Sequence, residues 1–170
     1  MKILTTSRLS LREFTPDDAS FILELLSDPD WHRNINNPNV QDEAGALAWM
    51  ETRLFEPYRK YGHGFWAVER KSDGEVLGMC GIFKRDSLPE VDLGYGFVPR
   101  HRGQGYAREA AVACLAHDRD VLGMTVILAI TSVDNEPSMS LLRSIGMREE
   151  GVEVLPGNDE PSRLFRWELA

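Results

Sequence analysis

The chain has 170 residues, 42% hydrophobic and 27% charged, a length and balance that suit one domain with a substantial core and exclude a disordered chain. Its formal charge of −8 argues against a duplex-binding surface, which needs clustered Lys and Arg, and is compatible with a cationic acceptor such as an amine. Met1 to Leu11 lacks a secretory apolar core and no run approaches about 18 apolar residues, so a cytoplasmic protein with no membrane or nucleic-acid partner is expected.

In chain order, Leu9 to Phe14 alternates like a strand, and Thr15-Pro16-Asp17-Asp18 supplies an N-cap and a Pro-N1 start. The helix that follows carries Phe21, Ile22, Leu25 and Leu26 on one side. Asp28 to Asn39, rich in Asn, Asp and Pro, reads as a loop. A second helix runs from Asp42 to about Phe55 and continues toward Gly62. Phe65 to Glu69 and Val76 to Phe83 are strands around a Ser72-Asp73-Gly74 hairpin turn, and Val91 to Val98 is another strand-like run. Tyr106 to Arg119 places Ala107, Ala110, Ala111, Cys114 and Leu115 on one helical face, the spacing of a helix packed on a sheet. Val126 to Thr131 is a buried strand, and Pro137 opens a short helix closed by Gly146. Two last strands, about Met147 to Leu155 and Leu164 to Leu169, flank a Pro156-Gly157-Asn158-Asp159 turn. The order β-α-α-β-β-β-α-β-α-β-β predicts a mixed α/β sheet in a single domain, 1–170. Cys80 and Cys114 read as buried reduced thiols. His32, His63, His101 and His117 are scattered without metal-ligand spacing, so no metal is expected.

The segment Arg100-His101-Arg102-Gly103-Gln104-Gly105-Tyr106-Ala107 joins a strand to a helix. A glycine-rich turn at that point exposes backbone N–H groups with no intrahelical partner, and the helix dipole adds positive potential. Together they suit a pyrophosphate. Gly103 and Gly105 let ligand oxygens approach with no Cβ in the way, and Arg100 and Arg102 add charge. A nucleotide-hydrolase loop needs Lys-Ser/Thr after its last glycine, where Tyr106-Ala107 stand. A dinucleotide site needs a third spaced glycine on the first strand of its unit. Both patterns fail.

The spacing Arg-x-x-Gly-x-Gly after a strand resembles the coenzyme A pyrophosphate loop of the GNAT superfamily of N-acetyltransferases. Arg8-Leu9-Ser10-Leu11-Arg12-Glu13-Phe14-Thr15-Pro16-Asp17-Asp18-Ala19 is similar to the first strand and helix cap of its ribosomal-protein N-terminal acetyltransferases, the RimJ/RimL-type branch. Asp92-Leu93-Gly94-Tyr95 is similar to that branch's Glu-Ile-Gly-Tyr. Asn135-Glu136-Pro137-Ser138, then Leu141-Leu142 and Ile145-Gly146-Met147, is similar to its Asn-x-x-Ser…Leu-Leu…Gly-Phe segment. The resemblance runs from about Thr6 to the C-terminus. It implies a GNAT fold: a mixed, mostly antiparallel sheet of about seven strands flanked by about four helices, its central strands splayed. It also implies direct transfer from acetyl-CoA, a co-substrate, to an amine acceptor in a ternary complex. The resemblance favours a protein N-terminal amine as acceptor, with a small-molecule amine such as a polyamine, an aminoglycoside or an amino-acid derivative as the competing reading. A CoA-binding module without transferase activity is the reading of a different class. Members of the superfamily are often dimers, so a homodimer is compatible with the resemblance.

Carried over residue by residue, the resemblance makes Phe97 and Val98 the backbone that faces pantetheine. Arg102, Gly103, Gln104, Gly105, Tyr106 and Ala107 become the pyrophosphate cradle. Asn135 stands near the thioester, or else caps the helix before Pro137. Arg143 reaches the nucleotide 3′-phosphate, or else is a solvated surface arginine. An α-amine with a pKa near ~7.8 is about 14% neutral at pH 7, against about 0.04% for a lysine, so an α-amine acceptor asks little of a base. Asp92, at the family's Glu position but one methylene shorter, is the candidate base, with Glu90 beside it as backup; a solvated strand acid is the competing role for Asp92. Many superfamily members place a Tyr where Leu142 stands; the terminal-acetyltransferase branch has a Ser after the Asn instead, and that resemblance implies Ser138 as the leaving-thiolate acid, which otherwise bonds the helix N-terminus. Phe97 or Val98 N–H would polarise the oxyanion. Trp31, Tyr95 and Phe165 line the acceptor pocket or else pack the core. Glu24, Asp28 and Asp30 attract a positive acceptor or are merely solvated.

Overall fold

The computed structural model describes residues 1–170. Its centre is one eight-stranded sheet ordered β1-β2-β3-β4-β5-β6-β8-β7. The strands are β1 (Lys2–Thr5), β2 (Leu9–Arg12), β3 (Phe65–Arg70), β4 (Val76–Phe83), β5 (Asp92–Phe97), β6 (Val126–Ser132), β7 (Arg148–Glu153) and β8 (Ser162–Glu168). The helices are α1 (Ala19–Leu26), α2 (Pro29–Asn34), α3 (Glu43–Met50), α4 (Glu56–Tyr61), α5 (Tyr106–Asp120) and α6 (Glu136–Ser144). Every pairing is antiparallel except β5 with β6, so the expected mixed, mostly antiparallel α/β sheet is what the chain builds. No helix is long and apolar enough to cross a membrane.

Two local expectations need correction, and the second helix continues to Gly62 as expected. The sheet has one strand more than expected, because β1, an edge strand, sets its two apolar residues Ile3 and Leu4 side by side and shows no alternation. It pairs with β2 through Leu4↔Leu11. The expected Asp28 to Asn39 loop holds the six-residue α2: Asp28 caps it, its carboxylate accepting the Asp30 N–H at 3.2 Å, and Pro29 opens it. The second helix runs α3 to α4 as one rod through a π-turn, Glu51–Phe55, ending at left-handed Gly62 with φ 74°. The turn has a local cause. Pro57 has no N–H to close on the Arg53 carbonyl four residues back, and its ring would strike that carbonyl in a regular α-turn.

The sheet separates two cores. On one face Leu9, Leu11, Trp66, Val68 and Ile82 meet α5 through Ala110, Ala111 and Cys114, whose small side chains bring the helix close. On the other, Ile22, Leu25, Met50 and Leu54 of the N-terminal helices cover Ala67, Met79 and Val98. Each fully buried Leu or Ile stabilises by roughly 1.5–3 kcal/mol, so both layers are held firmly to the strands.

The central strands splay. β5 and β6 are in register only at Asp92↔Leu128, where Leu128 N–H donates to the Val91 carbonyl at 2.9 Å. β6 continues instead along β8 from Val126↔Glu168 to Ser132↔Ser162, while β5 stays with β4 to Gly78↔Phe97. Each diverging strand is thus anchored by its outer neighbour, and a gap opens between them toward the C-terminal ends.

Candidate active site

The glycine turn stands at the C-terminal end of β5, where the gap is widest. Gly103 (φ 77°) and Gly105 (φ 82°) both occupy the left-handed region, which a Cβ disfavours. The turn thereby aims successive amides one way. No acceptor within the chain takes the N–H groups of Gly103 through Arg108, whereas Arg102 N–H is used on the Pro99 carbonyl at 3.2 Å. Behind the turn, Arg8 donates to the Gln104 carbonyl at 3.0 Å and lies 4.4 Å over the Tyr106 ring. Glu109 holds Arg8 there, accepting its Nε–H at 2.7 Å and the Thr6 hydroxyl at 2.5 Å.

The arginines expected to charge the turn are committed elsewhere. Arg102 donates to Asp28 at 2.5 Å, Asp30 at 2.6 Å and the Phe97 carbonyl at 3.0 Å, clamping α2 to the turn. Arg100 pairs with Glu24 and, at 3.3 Å, with Glu75. Arg108, which the pattern did not single out, is the side chain that reaches across. It lines the cavity and donates to Ser144 Oγ at 3.2 Å.

That cavity, about 330 Å3, lies between the turn and α6, with Phe97, Tyr106 and Ala107 on one wall and Pro137, Ser140 and Leu141 on the other. Deeper in the gap, Tyr95 of β5 meets Ser138 of α6, Oη to Oγ, at 2.6 Å. Burial pushes the Tyr95 pKa up to about 12, so the phenol remains protonated at neutral pH. If the phenol donates, Ser138 keeps its own hydrogen for a third group. Asn135 caps α6, its Oδ1 accepting Ser138 N–H at 3.4 Å. Val98 N–H donates to the Leu77 carbonyl of β4 at 3.2 Å. Ladder alternation therefore turns the backbone of Tyr95 and Phe97 toward the gap instead.

Asp92, Gly94 and Gly96 project from the opposite face of β5. A Cβ at Gly96 would stand 2.6 Å from Trp31, and one at Gly94 would stand 2.8 Å from Phe65, so both rings lie directly on the strand. Asp92 is only 1% exposed and gives both oxygens to Arg85, at 2.7 and 2.9 Å. Burial raises its pKa against the opposing pull of Arg85. Ser132 of β6 donates to Asn34 of α2 at 3.1 Å and bridges the gap on this side.

Of the other predicted residues, Glu90 is exposed ahead of β5, and Arg143 pairs with Glu136 and Glu149, both at 3.1 Å. Phe165 is fully buried on β8 opposite Ala129. The fold thus gathers Gly103 to Ala107, Phe97, Tyr95, Asn135 and Ser138 around one gap, puts Trp31 on the far face of β5, and leaves Glu90, Arg143 and Phe165 apart. Arg8, Arg85 and Arg108 escaped sequence reading: Arg8 and Arg108 have partners distant in the chain, whereas Arg85 meets Asp92 seven residues on, across a connection with no regular period. Only the position of Arg108, one turn past Gly105, offered a signal.

Known proteins resemble this chain in sequence and in fold. The acetyltransferase (GNAT) domain model matches residues 8–148. The uncharacterized N-acetyltransferase YoaA of Bacillus subtilis (strain 168) is 30% identical over 151 residues, 88% of this chain and 85% of YoaA. RimL, a ribosomal L7/L12 alpha-N-protein acetyltransferase solved with coenzyme A, superposes with a TM-score of 0.80 at 15% identity, covering 99% of this chain and 98% of RimL. Spermidine N-acetyltransferase from Vibrio cholerae, solved with CoA and spermine, superposes with a TM-score of 0.79 at 17% identity, covering 96% of each chain. These two likenesses are of fold alone.

Proposed function

The chain belongs to the GNAT acetyltransferase family, and from that membership we propose that it moves the acetyl group of acetyl-CoA to a peptide N-terminal α-amine, as in the RimJ/RimL-type branch. The observation that carries the reading is the row of unpaired N–H groups from Gly103 to Arg108, opening on the cavity beside α6. Fixed amides at a helix N-terminus suit a diphosphate, Arg108 adds charge from the cavity wall, and Arg8, paired with Glu109, braces the turn from behind. The backbone of Tyr95 and Phe97 takes the pantetheine arm and polarises the acyl carbonyl. Ser138, oriented by Tyr95, donates a hydrogen bond to the departing sulfur and relays to it the proton that the attacking nitrogen loses as the C–S bond breaks, so the serine ends protonated. The amine arrives from the Trp31 face of β5. Asp92 is held by Arg85, so it shapes that face rather than taking a proton, and an α-amine, about 14% neutral at pH 7, loses its proton to solvent.

Acetyl-CoA should raise the melting temperature, since a ligand that binds only the folded state stabilises it. Thiol release should follow with peptides bearing free Ser or Ala termini. An unchanged melting point at millimolar acetyl-CoA would sink the cradle assignment. Turnover of polyamines or drugs but not peptides would move the acceptor to the small-molecule class.

A further inference from the structure

Arg53 is the one arginine of the chain with neither a hydrogen bond nor an ion pair; every other arginine has a partner. It is half-buried, and burial together with the nearby Arg85 pushes its pKa down. A partly desolvated guanidinium with unused donors is unfavourable unless a counter-charge arrives. The sequence holds 27 Asp and Glu against 19 Lys and Arg, so an unpaired cation is not for want of carboxylates. The nearest, Asp92, has both oxygens on Arg85.

The placement points to the acceptor. Arg53 sits in the π-turn forced by Pro57, with its guanidinium 5.0 Å from the centre of the Phe83 ring. Phe83 stacks on Phe65 at 5.4 Å, and Phe65 covers Gly94. A ribbon of rings therefore runs along β5 from Asp92 to Trp31 at Gly96, with Arg53 and Arg85 at one end. Two strand residues, Gly94 to Asp92, span about 7 Å, the length of two residues of extended peptide. The acids that would favour a polycation, Glu24, Asp28 and Asp30, are already tied to Arg100 and Arg102.

We propose that Arg53, backed by Arg85, is an anion-recognition point on the acceptor face, selecting N-terminal peptides with Asp or Glu at the second or third residue. The inference rests on the peptide-acceptor reading above and names its preferred substrates. The carboxylate lies across Phe83, makes charge-assisted bonds to the free guanidinium donors, and fixes the peptide along the outer side of the Phe65 and Trp31 rings.

The test compares kcat/KM with acetyl-CoA for three peptides of equal length that begin Ser-Asp-Glu, Ser-Ala-Ala and Ser-Lys-Lys. The wild type should prefer the acidic peptide over the neutral one by about tenfold, and the lysine peptide should rank last. Arg53→Gln should reduce the acidic-to-neutral ratio toward one, and Arg53→Glu should invert the order of the charged peptides. Because Arg53 has no hydrogen bond or ion pair within the protein, Arg53→Gln should melt near the wild type, and the ratio measured with it carries the test. Equal wild-type rates on the acidic and neutral peptides, or a ratio unmoved by Arg53→Gln, would overturn the inference and leave peptide acetylation standing. If no peptide is acetylated while other amines are, the peptide reading falls and the inference with it.

Discussion

Tyr95 and Ser138 lie 43 positions apart in sequence, yet their hydroxyls meet at 2.6 Å across the gap. Ser138 had been expected as the leaving-group acid by resemblance, whereas nothing in the sequence linked it to Tyr95. The contact gives the serine a fixed orientation and, with the phenol donating, a hydrogen free for sulfur. Ser138→Ala should lower kcat by about 10²-fold, the low end of proton-transfer contributions, with little change in acetyl-CoA affinity. Tyr95→Phe, which keeps the ring, should lower kcat by less. Steady-state kinetics beside acetyl-CoA titration would separate the two effects, and an unaltered kcat in Ser138→Ala removes that residue from the chemistry. Asn135 shows the opposite lesson. Its cap on α6 is the local role that an Asn before Glu-Pro already offered.

At the scale of the element, α5 carries both the cradle and a penalty. Its periodicity and its glycine start were legible, because both are local. Asp118, near its C-terminal end, is completely buried, and neither carboxylate oxygen has a hydrogen-bond partner. Burial pushes its pKa up to about 7. A carboxyl with a raised folded pKa holds its proton longer in the native state, so stability falls as pH rises from its unfolded pKa, near ~3.9, through 7. Asp118→Asn removes the charge that must be buried above pH 7. The variant should melt higher than the wild type at pH 8 and close to it at pH 5, and thermal melts across that range would check it. A loss of stability at pH 8 would mean that the carboxylate has a partner when charged.

At the scale of the whole molecule, one residue layer links the sheet to the N-terminal helices beside the gap. Gly96 leaves no space for a Cβ: Trp31 of α2 would lie 2.6 Å away. Gly96→Ala should push Trp31 and α2 off β5, destabilise by about 1–3 kcal/mol, and raise the acceptor KM while acetyl-CoA still binds. A melt and paired KM measurements read this directly, and an unchanged acceptor KM would show that α2 lies outside the acceptor path. The same layer explains why Arg102, although it borders the cavity, gives its donors to α2, since Asp28 and Asp30 reach them first.

The sequence by itself determined the strands and helices with clear periods, the glycine turn and the phosphate chemistry it suits, because hydrophobic period, capping and left-handed glycines act within a few residues. It could not reveal β1, whose two apolar residues are adjacent rather than alternating, or α2, which spans less than two turns. Only the tertiary structure decided which charges are free and which are spent. Arg102, Arg143 and Asp92 found partners at close range, while Arg53 was left without one. Ion pairing depends on side-chain distances between remote segments, and those exist only once the sheet has splayed and the helices have closed on it.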